Sequence, residues 1–238
     1  MDNMGTIGLL GGMSHVATVP YYMTLNNMVA QRLGGYNSAQ ITIHSVNYHR
    51  LKSNYYNWDI VTPYFIEEYN KLAAMKPDCI VLACNTLHKA FDQARTKLER
   101  HGIPFMHAVE LTGNDCQTRS LGKLLFLGTK FTMQDDYFTG PLRKMGIDLV
   151  LPTLAEQGLV QDIQARVVSQ KPTPDAKDVM TRMIEAHKPD GIILACTELP
   201  IAFLAQDSSV PLIDPMMVQC QKAVDLVLNP NRSHNIQR

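Results

Sequence analysis

The sequence lacks a long apolar run and an excess of either charge. No stretch of its 238 residues approaches the roughly 18 apolar residues that a membrane-spanning helix needs. The opening segment has no basic leader, and its apolar run breaks at Gly11 and Gly12, unlike a signal peptide. Because 22 Lys and Arg balance 22 Asp and Glu, we expect no basic surface for nucleic acid or for an anionic membrane. We therefore expect small-molecule partners, and the odd number and wide spacing of the five cysteines favour a reducing cytoplasm.

Cysteine is also scarce, and its spacing excludes two kinds of site. The five cysteines are widely separated, and no C-x-x-C pair indicates zinc or a dithiol redox centre. Three of them are interpreted as packing residues: Cys79, Cys116 and Cys220. The glycine turn at residues 8–12 is not a dinucleotide fingerprint, because the third glycine is missing and no acidic residue follows at the ribose-binding distance. We expect neither a metal nor a nicotinamide cofactor.

What the chain does contain is a repeat that keeps a thiol. KPDCIVLACNTL at residues 76–87 and KPDGIILACTEL at residues 188–199 share Lys, Pro, Asp, Ile, Leu, Ala, Cys and Leu, which is eight of twelve positions. In each copy an apolar run predicts a buried strand, and the cysteine, Cys84 or Cys196, follows it before a helix-like segment. A helix start can lower the pKa of a thiol. A single buried Cys is often only a small hydrophobic residue, but two at matched positions favour a functional pair.

More of the two halves can be aligned. Residues 7–12 resemble residues 124–129, and residues 103–107 resemble residues 210–214. Helical patterns separate these strands, at residues 18–33, 61–75, 87–100, 134–145, 157–169, 175–187 and 217–228. Alternating strands and helices predict α/β architecture with mostly parallel sheets covered on both faces. Ligands in such sheets bind beyond the carboxyl ends of the strands, where both cysteines are expected.

Two opposed thiols suit one reaction in particular. If one thiolate takes the proton from an α-carbon and the other thiol delivers a proton to the opposite face, the configuration inverts. The two enantiomers have equal free energy, so each cysteine must serve both as acid and as base. Acyl transfer would need one nucleophile with a dedicated His and would leave the second cysteine without a role. The pair therefore predicts a racemase or epimerase.

The motifs resemble those of the aspartate/glutamate racemases, which act without pyridoxal phosphate. They are GGMS-x-x-AT at 11–18, GGYNSAQITIHSVNY at 34–48, CNTLH at 84–88, LLFLGT at 124–129 and ACTELP at 195–200. The resemblance implies two pseudo-symmetric Rossmann-like lobes with the active site in the cleft between them, Cys84 and Cys196 as the acid/base pair, no cofactor, and often a homodimer. The start at Met13 and Ser14 looks closer to a subgroup that includes broad-specificity amino-acid racemases.

The resemblance also implies a discontinuous first lobe. In such proteins the chain crosses over late, which assigns residues 1–100 and 208–228 to an N-terminal lobe carrying Cys84. Residues 101–207 then form a C-terminal lobe carrying Cys196, and residues 229–238 are expected to be a flexible tail.

Candidate substrate-binding residues surround these motifs: Met13, Ser14, Asn47, Arg50, Asn85, Thr86, Thr129, Thr197 and Glu198. Asn85, Thr86 and Thr197 could help backbone N–H groups to hold an α-carboxylate, or could only cap helices. A second carboxylate would need a cation, for which Arg50 is the best placed of Arg50, Lys52, Lys130 and Arg166. Glu198 predicts that Cys196 is the more readily protonated thiol. His88 and His107 are interpreted as structural.

Aspartate is the leading substrate, with glutamate or a broader range as alternatives. The activities of related cysteine-pair enzymes, which isomerise maleate, racemise hydantoins or decarboxylate arylmalonates, are alternatives that the sequence leaves open. A non-catalytic module that binds an amino acid is a further alternative, which the retention of both thiols makes less favourable.

Overall fold

A computed structural model describes residues 4–55 and 57–229 of the chain. Within these ranges the strands and helices follow one another in this order: β1 (Thr6–Gly11), α1 (His15–Leu33), β2 (Gln40–Ser45), α2 (Tyr48–Lys52), α3 (Trp58–Ala73), β3 (Cys79–Leu82), α4 (His88–Leu98), β4 (Phe105–Met106), α5 (Ala108–Arg119), β5 (Lys123–Leu127), α6 (Lys130–Gln134), α7 (Asp136–Lys144), β6 (Asp148–Val150), α8 (Leu154–Val168), α9 (Ala176–His187), β7 (Gly191–Leu194), α10 (Leu199–Ala202), β8 (Leu212–Ile213) and α11 (Pro215–Leu228). Short 3₁₀ turns follow α4 and α10. Of the predicted flexible tail, only Asn229 falls inside the described residues.

The strands form two parallel sheets with the same internal order. One sheet runs β2-β1-β3-β4 and the other β6-β5-β7-β8. All six strand pairings are parallel. The predicted α/β class with two parallel-sheet halves is therefore confirmed, and the repeat seen in the sequence extends to the whole sheet order.

The central strands are apolar because helices cover both faces of each sheet. All four residues of β3 and all four of β7 are buried, as expected for parallel strands that face the core on both sides. Each unit has its own apolar core, one around β3, α3 and α4 and the other around β5, β7 and α7. The apolar β-branched runs of the repeat are thus the centres of two separate cores.

The chain divides into two compact units at boundaries that differ from the predicted ones. The second unit is Ala108–Pro215, and the first contains the residues up to His107 and those from Met216 onward. The sequence placed the crossings after residues 100 and 207. The difference arises because β4 pairs with β3 and β8 pairs with β7. Each short strand therefore stays with the sheet of its own cysteine, and the chain crosses only after that strand.

The predicted helices are present, with local corrections. The pattern at residues 134–145 corresponds to α7, which begins at Asp136 because the Asp135 carboxylate accepts a hydrogen bond from Tyr137 N and starts a new helix there. Four of the described helices lie outside the sequence patterns, namely α2, α5, α6 and α10, and three of these four have only four or five residues. Among the described residues, none of the helices combines the length and the hydrophobicity of a membrane-spanning segment.

Candidate active site

Cys84 lies just beyond the carboxyl end of the third strand of its sheet. Leu10 on β1 pairs with Leu82 on β3, and Ala83 N donates to Leu10 O at 2.9 Å, which fixes the chain one residue before the cysteine. The residue is 4% exposed. The sequence placed Cys84 at the N-terminus of the helix that follows it. Helix α4 begins only at His88, so the cysteine lies about one turn before the helix.

Cys196 has the same position in the second unit. Leu127 pairs with Leu194, and Ala195 N donates to Leu127 O at 2.6 Å. The cysteine is 6% exposed. The helix that follows, α10, has four residues, so the expected influence of a long helix start on this thiol does not apply. Each unit therefore has a buried thiol at the same point of its sheet, directly after the third strand.

The polar neighbours of the two thiols differ. Tyr55 places its hydroxyl 3.6 Å from Cys84 Sγ. Cys196 Sγ donates to Glu198 Oε2 at 3.1 Å, and Thr197 Oγ1 donates to the same oxygen at 3.1 Å. Sequence reasoning singled out Glu198 from its spacing to the cysteine. It missed Tyr55, which follows α2 in a turn and has no motif around it.

Asn85, directly after Cys84, is buried in an unusual state. The residue is 4% exposed, and neither Nδ2 nor Oδ1 has a hydrogen-bond partner within the described ranges. Buried amide groups are almost always hydrogen-bonded, and leaving one unpaired costs about 1–3 kcal/mol. The N-cap of α4 is Leu87, without a side-chain capping bond, so capping does not explain Asn85. Neither polar atom of this amide therefore has a role in the described part of the fold.

The loop after the first strand of each sheet lies beside the cysteine loop. Gly12 has φ +94°, and a Cβ there would lie 2.3 Å from Val46 O, so only glycine fits. Ser14 caps α1 by accepting from Ala17 N at 3.4 Å, and Thr129 caps α6 by accepting from Thr132 N at 3.1 Å. Met13 packs in the same apolar cluster as Cys84.

Asn47 and Arg50 lie on the outer part of the first unit. Asn47 is exposed and caps α2, its Oδ1 accepting from His49 N at 3.0 Å. Arg50 is exposed, and its guanidinium carbon lies 4.8 Å from the centre of the Tyr64 ring. Stacking on Tyr64 leaves the N–H edges of the Arg50 guanidinium able to bind a carboxylate.

His88 binds the main chain of the loop that carries Cys84. It is fully buried, and its Nδ1 lies 3.1 Å from Cys84 O and 3.2 Å from Asn85 O. Both partners are carbonyl oxygens, so the ring carries its proton on Nδ1 and donates to them. Burial, helped by the neighbouring His107 ring, lowers the His88 pKa to about 3. The imidazole is therefore neutral at physiological pH, which agrees with the structural role expected for it.

The depressed pKa of His88 predicts a loss of stability in mild acid. The unfolded chain binds a proton at this position below about pH 6.5, whereas the folded protein does so only below about 3. Between these values the free energy of unfolding should fall by about 1.4 kcal/mol per pH unit from this group, and nothing should be lost from it above pH 7. Urea unfolding at pH 7, 6 and 5 gives the free energy of unfolding at each pH. The slope of this free energy against pH should be smaller in His88→Gln than in the wild-type protein. An unchanged slope would contradict the assignment.

Proton chemistry at sulfur is what these groups can support. The thiol–phenol pair at Cys84 and the thiol–carboxylate pair at Cys196 can each hold or move a proton at Sγ. In residues 4–55 and 57–229, no three His, Cys, Asp or Glu side chains are grouped as a metal site would require.

These features define a class of protein: a duplicated α/β protein in which each sheet carries a buried thiol beyond its third strand. A sequence model of the Asp/Glu/Hydantoin racemase family matches residues 10–223. The chain belongs to this family, as its motifs had predicted.

Solved structures agree with this assignment. A candidate Asp/Glu racemase from Yersinia pestis is 30% identical, with a TM-score of 0.82 over 94% of this chain and 100% of that one. An aspartate racemase homologue from Pyrococcus horikoshii is 24% identical over the same shares of the two chains, also with a TM-score of 0.82. The aspartate racemase of Picrophilus torridus is 22% identical, with a TM-score of 0.76 over 94% of each chain. The last two similarities establish the fold.

Proposed function

We propose that this protein is a cofactor-independent amino-acid racemase in which Cys84 and Cys196 are the acid and base, with aspartate as the leading substrate. The observation that carries the proposal is the matched position of the two buried thiols, each directly beyond the third strand of its sheet. Ligands of parallel α/β sheets bind at this edge. A single packing cysteine would not recur at the same point of both sheets.

In the proposed reaction one thiolate removes the α-hydrogen as a proton, and the C–H electron pair stays on the α-carbon. The thiol of the other cysteine then gives its proton to the opposite face, and its S–H electron pair stays on sulfur. The product has the inverted configuration, and the reverse reaction exchanges the roles. Positioned acids and bases of this kind typically contribute about 10²–10⁴-fold each.

Asn85 and Thr86 are the proposed partners of the substrate α-carboxylate on the Cys84 side. The unpaired amide of Asn85 supports this role, because a bound carboxylate would accept from Nδ2. Thr197 and Glu198 are the corresponding groups beside Cys196, and Glu198 Oε2 could accept from a substrate ammonium group. Met13, Ser14, Asn47 and Thr129 are proposed to border the site.

Aspartate is proposed because relatives of similar fold include an aspartate racemase, and because Arg50 offers a cation for a second carboxylate. Glutamate or a wider range of amino acids is the alternative within the same chemistry. A homodimer located in the cytoplasm is the proposed form of the protein.

The wild-type protein can test the function directly. The protein is incubated in deuterated water with single enantiomers of aspartate, glutamate and several neutral amino acids. The optical rotation of the solution should decay to zero with the preferred substrate. Solvent deuterium should enter chiefly the inverted product, because the second cysteine carries a proton derived from solvent. Chiral chromatography with mass spectrometry separates inversion from exchange.

The same measurement discriminates the alternatives. Turnover of maleate, a hydantoin or an arylmalonate without amino-acid racemisation would favour the related cysteine-pair reactions. An amino acid that raises the melting temperature without α-deuteration would indicate a binding module. Either result would contradict the proposed racemase.

A further inference from the structure

The two thiols have neighbours of opposite hydrogen-bonding character. The hydroxyl of Tyr55, 3.6 Å from Cys84 Sγ, can donate a hydrogen bond. On the other side, the Glu198 carboxylate accepts a hydrogen bond from Cys196 Sγ at 3.1 Å. A donor stabilises a thiolate, whereas an acceptor stabilises the protonated thiol. The neighbours of the two matched thiols therefore favour different protonation states of sulfur.

The surroundings of Tyr55 keep its phenol protonated. Its ring meets the Tyr48 ring edge-on, with centroids 6.1 Å apart, and Lys52 Nζ lies 5.8 Å from the Tyr55 centroid. Burial, with Cys84 and Tyr48 close by, raises the pKa of Tyr55 well above its usual 10. At neutral pH the phenol thus retains its proton. A thiolate has no proton to give, so the O–H must be the donor when Cys84 is ionised.

We propose that Tyr55 is a further functional residue, which holds Cys84 as the resting thiolate by donating its phenolic hydrogen bond to Sγ. Glu198 holds Cys196 as the resting thiol by accepting from it. Assigning these states to steps of turnover rests on the proposed racemase function. The resting enzyme then first deprotonates the enantiomer whose α-hydrogen faces Cys84.

Every proton and electron pair is accounted for in that first turnover. Cys84 Sγ gains the α-proton and becomes a thiol, while the C–H electron pair passes to the α-carbon. Cys196 gives its proton to the opposite face and becomes the thiolate. The phenol keeps its own proton throughout. Turnover of the other enantiomer, or proton exchange with water, restores the starting state.

Other titratable groups near Cys84 must be separated from the effect of Tyr55. Tyr48 and Lys52 from α2 surround the phenol, and His88 from α4 contacts the Cys84 carbonyl, with His107 behind it. His88 is neutral above pH about 3, so its charge does not change in the range where thiols titrate. Removing only the Tyr55 hydroxyl leaves all four of these groups in place.

Alkylation by iodoacetamide, followed for each cysteine by peptide mass spectrometry across pH 5–10, reads the thiolate fraction directly. In Tyr55→Phe we expect the midpoint for Cys84 to rise by about one to two pH units, the equivalent of one lost charge-assisted hydrogen bond. The midpoint for Cys196 should stay unchanged in that variant, which also serves as an internal check on folding. Glu198→Gln should lower the pH midpoint of alkylation for Cys196 and leave the midpoint for Cys84 unchanged.

Tyr64→Phe is the matched control, because Tyr64 is a tyrosine of the same unit that stacks on Arg50. It should move neither midpoint. If Tyr55 only packs, phenylalanine preserves its ring, and an unshifted Cys84 midpoint would overturn the proposal. Labelling does not require turnover. A shifted profile without any racemisation would contradict the proposed function alone, and racemisation with an unshifted profile would remove only the role of Tyr55.

Discussion

Cys84→Ser should reduce the inversion of either enantiomer by about 10³-fold or more, and Cys196→Ser should do the same. A hydroxyl in place of the thiol is far less acidic, so almost none of it is ionised at neutral pH, and inversion needs both groups. Each acid or base contributes about 10²–10⁴-fold. The rate is measured by circular dichroism of the substrate at saturating concentration.

The two single variants should differ in the exchange that remains. Each retains one thiol, which can still take the α-proton of the enantiomer facing it and return a solvent-derived proton to the same face. We therefore expect α-deuteration without inversion for one enantiomer in Cys84→Ser and for the other in Cys196→Ser. Proton NMR in deuterated water follows the loss of each α-hydrogen signal.

Cys79→Ala is the control for loss of a buried thiol. Cys79 begins β3, is fully buried, and its pKa is raised to about 12 by burial, so it is not a base at neutral pH. Its replacement should lower stability slightly and leave kcat within about two-fold, because packing loss of one small side chain does not touch the thiol pair. Inversion that survives in either Cys84→Ser or Cys196→Ser would contradict the two-base reaction.

The sequence was most informative where both halves repeat. The strands that precede Cys84 and Cys196 are continuous apolar runs, which makes them recognisable in the sequence. Their shared motif predicted the position of both thiols. Helix α5 was missed for a physical reason. Its buried face is made of small or polar residues, and at Gly113 a Cβ would lie 2.4 Å from Met145 Sδ. Close packing of this kind leaves no apolar period to detect.

The boundaries and the polar neighbours could not be predicted from local sequence. Strands β4 and β8 have two residues each, so their pairing, and with it the crossing point, is a tertiary property. Tyr55 approaches Cys84 from 29 positions away in the chain, and only the fold brings them together. The unpaired state of Asn85 is likewise visible only in three dimensions, although its identity follows from the motif.

Asn85→Leu should separate stability from activity, since the two are expected to move in opposite directions. Leucine has the same branching at Cγ and no polar atoms, so it removes two buried groups that lack partners within the described ranges. The free energy of unfolding should rise by about 1–3 kcal/mol. Racemisation should fall by about 10²-fold or more, because a site that hydrogen-bonds its substrate then loses the amide that orients it.

Gln219→Leu is the matched control with the opposite expected sign for stability. Gln219 is fully buried, but its amide is paired: Tyr21 donates to its Oε1 at 2.7 Å, and its Nε2 donates to Met106 O at 2.6 Å. Leucine there removes both hydrogen bonds and should destabilise the protein by about 1–3 kcal/mol. Urea unfolding and saturation kinetics on the same preparations compare the two. Destabilisation by Asn85→Leu with unchanged KM and kcat would mean that its amide serves the fold and not a ligand.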